Sequence, residues 1–238
     1  MCRRLFILLT GSLLMLAAHA QKTIINDPNA ELRPVKGFHG IEVSSAINLY
    51  LSQGEQETVV VSANDLRWRE YIRTEVDNGI LKIWLDTRKW SRGNVKIKAY
   101  VSFTTLDRLS ASGASDVFVD GVITGENLFV DLNGASDFKG AINVKNLRLE
   151  QSGASDAHVT GVVSGVAEIH SSGASDVKGY DLTIQNCNVH ASGASDIRVT
   201  VRNELTADLS GASTVFYKGE AVVRDVKSSG ASAVKKSS

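Results

Sequence analysis

Apolar and polar residues alternate on both sides of a short motif, Gly-Ala-Ser, that recurs seven times in the second half of the chain. Counted from the motif glycine, the fourth residue before it and the fourth residue after it are apolar in every copy. The third residue before and the fifth residue after are mostly polar or charged. A period of two is typical of a half-buried strand, so each copy is predicted to be strand, turn and strand.

The spacing of the motif predicts the architecture. Successive copies lie 21, 19, 20, 20, 18 and 19 residues apart, and a repeat of this length is the signature of a solenoid. We therefore predict an all-β fold, a single-stranded right-handed parallel β-helix whose coils are about 20 residues long. The predicted structural turns begin at the motif glycines Gly113, Gly134, Gly153, Gly173, Gly193, Gly211 and Gly230.

Each motif position is expected to have its own task in the turn. Glycine allows a positive φ or a close approach of two backbones. The alanine is expected to point inward, at a corner where a larger side chain would collide. The serine is expected to bond to nearby backbone amides, and the aspartate that follows it in five copies to backbone amides of its own turn.

The segment before the repeats is rich in strand patterns but shows no clear repeat. Apolar residues alternate at positions 47–51, 81–85 and 95–103, and Asp77-Asn78-Gly79 predicts a hairpin turn. We expect one solenoid domain over residues 37–234, in which 37–105 form irregular first coils or a cap and 106–234 form the repeats. Residues 21–36 are expected to be a loose leader.

The first twenty residues have the pattern of a signal peptide. Arg3 and Arg4 precede a short apolar stretch, and the small-residue segment 18–20 is suited to cleavage. The mature chain is then predicted to be exported across the inner membrane to the periplasm, the outer surface or the medium. The apolar stretch itself is too short to span a bilayer, and we predict no transmembrane segment in the mature chain.

Charge and cysteine content narrow the function classes. The chain has 26 basic and 26 acidic residues, and removal of residues 1–20 leaves the mature chain with a net charge of −2. A chain without excess positive charge is not expected to bind nucleic acid. Cys187 is the one cysteine of the mature chain, so the fold is expected to depend on packing rather than on a disulfide. No motif for a cofactor is present, and none is predicted.

Two columns of ionisable residues are candidate sites. An aspartate follows the motif serine in five successive coils, and stacked carboxylates could bind Ca²⁺ between coils or could accept backbone hydrogen bonds. The second reading is favoured, and the calcium candidates are Asp116, Asp137, Asp156, Asp176 and Asp196. His170 and His190 share an outward column with Glu150 and Asp208, so they could ligate a transition metal or simply form an exposed polar face.

Four segments resemble a bacterial family described as putative auto-transporter adhesin, head GIN domain. They are VKGF at 35–38, IEV at 41–43, DNGILKI at 77–83 and LDRLSASGAS at 106–115, and the resemblance extends over about residues 36–225. It implies a β-solenoid exported by Gram-negative bacteria. It implies no known catalytic residue, so none is carried over to this chain.

These observations favour a non-catalytic protein of the cell envelope or surface that binds a glycan or protein ligand, as in adhesion. Self-association is possible for such a solenoid. The alternatives are a carbohydrate-active enzyme on a β-helix scaffold and a purely structural assembly module. The chain contains no nucleophile elbow, P-loop or metalloprotease motif, and we therefore predict no catalytic residues.

Overall fold

The predicted strands stack into the coils of a β-solenoid in a computed structural model that describes residues 27–86 and 95–238. The fold is all-β, with about 6 parallel turns of about 20 residues each, which confirms the predicted fold class. The predicted signal peptide and the first part of the predicted leader, residues 21–26, lie outside the described residues.

The described residues of the N-terminal part form eight strands and one helical turn. The elements are β1 (Glu31–Arg33), β2 (Gly40–Val43), β3 (Ile47–Gln53), β4 (Thr58–Ala63), α1 (Leu66–Arg69), β5 (Ile72–Asp77), β6 (Ile80–Leu85), β7 (Ile97–Phe103) and β8 (Arg108–Ala111). Strand β2 pairs in parallel with β6 and β8, and β3 pairs in parallel with β7. Strands β1, β4 and β5 are antiparallel to their partners, so this end of the solenoid is a mixed sheet.

The predicted hairpin joins β5 to β6. Asn78 and Gly79 form its two-residue loop, and both have positive φ, 49° and 78°. This geometry is that of a type I′ turn, in which asparagine followed by glycine is preferred because both central residues need positive φ. The hairpin prediction is therefore confirmed.

The repeats form strands that all pair in parallel, five long strands in chain order and three shorter ones at the C-terminal end. They are β9 (Val117–Leu132), β10 (Phe138–Gln151), β11 (Asp156–Ser171), β12 (Asp176–Ala191), β13 (Asp196–Leu209), β14 (Thr214–Lys218), β15 (Val222–Ser228) and β16 (Ala233–Lys236). Strand β9 also pairs with β3 and β8, which joins the repeats to the N-terminal strands in one sheet. Within β9 the chain bends at Gly121, whose φ is +85°.

The two apolar columns that flank the motif form part of the core, which also includes buried residues of the N-terminal strands and of the middle of the long repeat strands. Leu109 and Val117, in the first repeat, are 0% exposed, and the same columns remain buried as far as Val215 in β14. The last coil departs from this pattern. Val226 is 44% exposed, and the adjacent Asp225 has a φ of +47° where the register between β13 and β15 shifts.

The motif glycines lie where two turns stack. All seven have a φ between +64° and +84°. A Cβ atom on Gly153 would lie 2.4 Å from the carbonyl oxygen of Gly134, because the Ala154 N–H donates a 2.7 Å hydrogen bond to that oxygen. Gly173, Gly193 and Gly211 repeat this approach to the glycine of the preceding coil. Each of them therefore occupies a backbone conformation and a space that suit only glycine.

The structure corrects the inward position that we predicted for the motif alanine and places the serine inside instead. The motif alanines are exposed, whereas the serines of the first six motifs are 0% exposed: Ser115, Ser136, Ser155, Ser175, Ser195 and Ser213. The serine tolerates burial because its hydroxyl is bonded. Ser175 Oγ donates to the Ser172 carbonyl oxygen at 3.0 Å, and Ser136 Oγ accepts from the Ser115 N–H at 3.1 Å.

Candidate functional site

An outward column of acidic and imidazole side chains crosses the strand segments that precede the turns. Parallel pairing places its members side by side on successive coils. We call this the acid–histidine column, and its members are Asp131, Glu150, His170, His190 and Asp208. The sequence-predicted pair of histidines and their two flanking carboxylates are thus brought together on one face.

The two histidines stack on one another. Their ring centroids lie 4.7 Å apart, and the ring planes differ by 23°. Burial lowers the pKa of His170 from its ordinary value, and the neighbouring His190 and Arg148 lower it further, while Glu150 and Glu168 oppose them. The neutral form of His170 is therefore favoured near neutral pH.

A second outward column, next to the turn, was missed by the sequence reasoning. It consists of the residue immediately before the motif glycine in each of five coils, and we call it the serine column: Asn133, Ser152, Ser172, Ser192 and Ser210. Its signal was available, because serine or asparagine precedes the glycine in all seven motifs. Ser152 Oγ donates to Asn133 Oδ1, and Ser172 Oγ donates to the Gln151 carbonyl oxygen at 3.2 Å.

The two columns line an open groove of about 480 Å³, which we call the histidine groove. A volume of this size is within the range of small-molecule sites. The groove follows the solenoid axis over five coils, and its side chains offer hydroxyl, amide, carboxylate and imidazole groups. Lysine and arginine are absent from its lining in the part of the chain that the structure describes.

The carboxylates of the groove differ in their partners. Arg148 Nε donates to Glu150 Oε1 at 2.8 Å, which offsets that charge. Asp131 instead accepts from the neutral donors Asn133 Nδ2 at 2.7 Å and Ser110 Oγ at 3.2 Å. Since amides and hydroxyls carry no charge, the negative charge of Asp131 remains available to a ligand.

Aromatic and cationic side chains stack at the N-terminal end of the groove. The Phe129 ring has Arg108 at 4.8 Å and Arg148 at 5.8 Å from its centroid. Arg148 contacts both this ring and Glu150. Its cation–π contact therefore helps to hold the Arg148 side chain beside Glu150, in the second rung of the groove.

The predicted aspartate column lies on a different face, after the turns. Its carboxylates bridge adjacent coils instead of bonding to their own turns as we predicted. The Asp156 N–H donates to Asp137 Oδ1 at 3.2 Å, and Asp196 bonds to Asp176 in the same way. Lys178 Nζ donates to Asp156 Oδ2 at 2.7 Å. Backbone amides and basic side chains thus stabilise these charges.

Asp116 is the first member of the aspartate column, and burial raises the pKa of its carboxyl, with the charge of Asp137 as the second cause. Within residues 27–86 and 95–238 no group of three or more histidine, cysteine, aspartate or glutamate side chains is placed to hold a metal ion. The calcium and transition-metal readings stay hypotheses for direct titration.

Cys187 lies in the core, where burial raises the pKa of its thiol to about 12. A thiol with this pKa stays protonated at neutral pH and is a poor nucleophile. Among the described residues, no helix has the length and apolar character needed to cross a membrane.

Several solved structures share this fold. A protein described as a putative adhesin from Bacteroides fragilis has a TM-score of 0.82 and 21% identity over 87% of this chain and 96% of that chain. A putative adhesin from Parabacteroides distasonis has a TM-score of 0.67 and 20% identity over 87% of this chain and 96% of its own. Another protein from that species, described as a putative lipid binding protein, has a TM-score of 0.69 and 18% identity, covering 89% of this chain and 98% of that one.

Identities at this level show a common fold and do not transfer a ligand. No curated protein sequence matches the chain. A family model, in contrast, matches residues 37–221, which include every coil from β2 to β14. The chain therefore belongs to the family described as putative auto-transporter adhesin, head GIN domain.

Proposed function

We propose that this chain is a non-catalytic binding module of the bacterial cell envelope and that it holds an extended glycan along the histidine groove. The observation that carries the proposal is the repetition of polar groups along the groove, one set from each of five coils. Parallel coils repeat at about 4.8 Å, so the groove offers hydrogen-bonding groups at regular intervals to a chain of similar units.

The chemistry of the lining supports a polyhydroxylated ligand. Sugar hydroxyls both donate and accept hydrogen bonds, and the groove offers carboxylate acceptors, serine hydroxyls and imidazole nitrogens that suit both roles. The charge of the surrounding coils favours a neutral or amine-bearing glycan over an anionic one. Residues 105–196 carry twelve aspartates and glutamates against five lysines and arginines, which would repel a polyanion.

Two observations support binding without catalysis. The family is described by adhesion, and the three groove carboxylates, Asp131, Glu150 and Asp208, lie on different coils rather than converging on one point. A carbohydrate-active enzyme is the second candidate, because carboxylates and histidines in one groove are groups that acid–base catalysis uses. Export to the envelope is proposed from the signal-peptide pattern of residues 1–20.

The proposal is tested with residues 21–238 on a glycan array, followed by calorimetry with each oligosaccharide that binds. Ser192 is exposed, and Ser192→Trp should block the groove and reduce affinity at least 10-fold. The matched control is Ser164→Trp, because Ser164 is an exposed serine of β11 outside the groove lining. It should bind like the wild type.

Equal binding by both tryptophan variants would remove the ligand from the groove. Chromatography of the bound oligosaccharides provides the second readout. Turnover of a glycan without stable binding would replace the non-catalytic function with the enzymatic one.

A further inference from the structure

The stacked histidines occupy the centre of the histidine groove. Two coils contribute acidic members on one side of the pair, Asp131 and Glu150, and one coil contributes Asp208 on the other. The rings lie 4.7 Å apart, a distance at which two neutral imidazoles pack favourably and two imidazolium ions repel. This arrangement has no counterpart in the other rungs of the column, where histidine is absent.

Ionisable groups face the pair from each neighbouring coil. Glu150 and Arg148 approach His170 from β10, and Glu168 lies two residues before it on β11. Asp208, on β13, is the register partner of His190. Arg148 bonds to Glu150 and also lies 3.8 Å from Glu168, so part of the negative charge beside His170 is already offset. A positive charge on His170 would therefore be poorly compensated. His190, in contrast, lies beside the exposed carboxylate of Asp208.

We propose that the His170–His190 stack makes ligand binding in the histidine groove depend on pH. Near neutral pH the two rings stack on one another and present their edges to the ligand. In mildly acidic medium the pair takes up protons, the rings separate, and each imidazolium turns toward a carboxylate, His170 toward Glu150 and His190 toward Asp208. These carboxylates and rings are then withdrawn from the ligand, so affinity falls.

Protonation also changes the charge that a ligand meets. The groove carboxylates are Asp131, Glu150 and Asp208, and Arg148 already offsets the charge of Glu150. Imidazolium ions would reduce the remaining negative charge of the groove, which weakens the attraction for an amine-bearing glycan. Electrostatics and geometry thus act in the same direction, and the effect on binding rests on the proposed function, whereas the titration of the rings does not.

The lowered pKa of His170 supports this mechanism, because burial and the neighbouring ring favour its neutral form. The sign for stability follows by linkage. A histidine whose folded-state pKa lies below its unfolded value of 6.5 binds protons more readily in the unfolded chain. Its contribution to stability is therefore present above pH 6.5 and is lost as the pH falls toward the folded-state pKa.

The test begins without any ligand. Nuclear magnetic resonance titration of the histidine ring protons gives the pKa of each ring in the wild type and in His190→Gln. Removal of the neighbouring imidazole should bring the pKa of His170 closer to the ordinary value of about 6.5. The control is His158→Gln. His158 is an exposed residue on the strand segment after the turn, where its register partners are Lys139 and Lys178. This variant should leave the titration of His170 unchanged.

Binding and melting complete the experiment. For a glycan identified on the array, wild-type affinity should fall at least 5-fold between about pH 7.5 and about pH 5.5, the range in which histidine titrates. His190→Gln should show a smaller fall, and its melting temperature should depend less on pH over the same interval. An unchanged titration of His170 in His190→Gln overturns the switch even if no glycan binds. A glycan bound equally at both pH values overturns it while the proposed function stands.

Discussion

The stacking of motif glycines predicts a large difference between two alanine substitutions that look alike in sequence. Gly121 and Gly153 have nearly the same φ, +85° and +84°, so alanine at either position costs about 1–2 kcal/mol for the left-handed backbone. They differ in space. A Cβ atom on Gly121 meets nothing within 4 Å, whereas on Gly153 it would lie 2.4 Å from the Gly134 carbonyl oxygen.

The extra cost at Gly153 has two sources. To relieve the collision, the backbones of the two stacked turns must move apart. This destabilises the fold by about 1–3 kcal/mol, as overpacking does in other cores. It also weakens the hydrogen bond from the Ala154 N–H to that oxygen, worth about 1 kcal/mol. Gly153→Ala is thus expected to lower the free energy of unfolding by about 3–6 kcal/mol, and Gly121→Ala by about 1–2 kcal/mol.

Urea unfolding followed by far-ultraviolet circular dichroism measures both variants against the wild type. The argument requires that Gly153→Ala unfold at clearly lower urea than Gly121→Ala. If the two midpoints coincide, the contact between stacked turns does not determine the need for glycine. A second copy serves as confirmation, since Gly173→Ala meets the Gly153 carbonyl oxygen at the same distance of 2.4 Å and should behave like Gly153→Ala.

Three further predictions concern the aspartate column and the buried thiol. Asp116→Asn should raise the melting temperature at neutral pH, because burial and the charge of Asp137 raise the pKa of Asp116 and so destabilise its ionised form in the fold. The gain should vanish below pH 3.8, where the carboxyl is protonated in both the folded and the unfolded chain. Asp156→Asn should instead lower the melting temperature, because it removes the charge that Lys178 binds. Equal shifts in melting temperature for the two variants would contradict this reasoning. Cys187, with a pKa near 12, should resist a thiol reagent in the native mature chain and react once urea unfolds it; rapid native labelling would show that the core opens. EDTA should leave the melting temperature of the mature chain unchanged, because backbone amides and basic side chains hold the aspartates, and a rise on adding Ca²⁺ would instead establish a calcium site.

The coil could be predicted because its signal is local and repeated. The apolar columns and the motif glycines give both the length of a coil and the position of its turn. The prediction that the motif alanine points inward is wrong, although the same alternation contains the correct answer. The fourth residue after the glycine is buried. With a period of two, the second residue after the glycine, serine, then also points inward, and the first, alanine, points outward. The polarity of serine hid this, since its hydroxyl is bonded to the backbone inside the coil, as in Ser175.

The N-terminal pairing could not be predicted, because it joins segments that share no repeat. Strand β4 pairs antiparallel with β7 across more than thirty residues, and only tertiary packing selects that partner. The candidate site was predictable in part. A constant offset from the glycine places His170 and His190 on one column, but the stacking of their rings and the groove beside them depend on side-chain conformations that only the structure gives.

The hydrogen bond between stacked turns has a consequence for the reach of the molecule. The N–H of the motif alanine donates to the glycine of the preceding coil at 2.7–2.8 Å in five successive turns, from Ala154 to Ala231. Each coil thus supplies the N–H donor that bonds to the preceding coil and the carbonyl oxygen that accepts from the following coil. A coil duplicated in the gene would fit between its neighbours and lengthen the histidine groove by about 4.8 Å. The fold lets the number of ligand units that it contacts change by whole coils, with no redesign of the core.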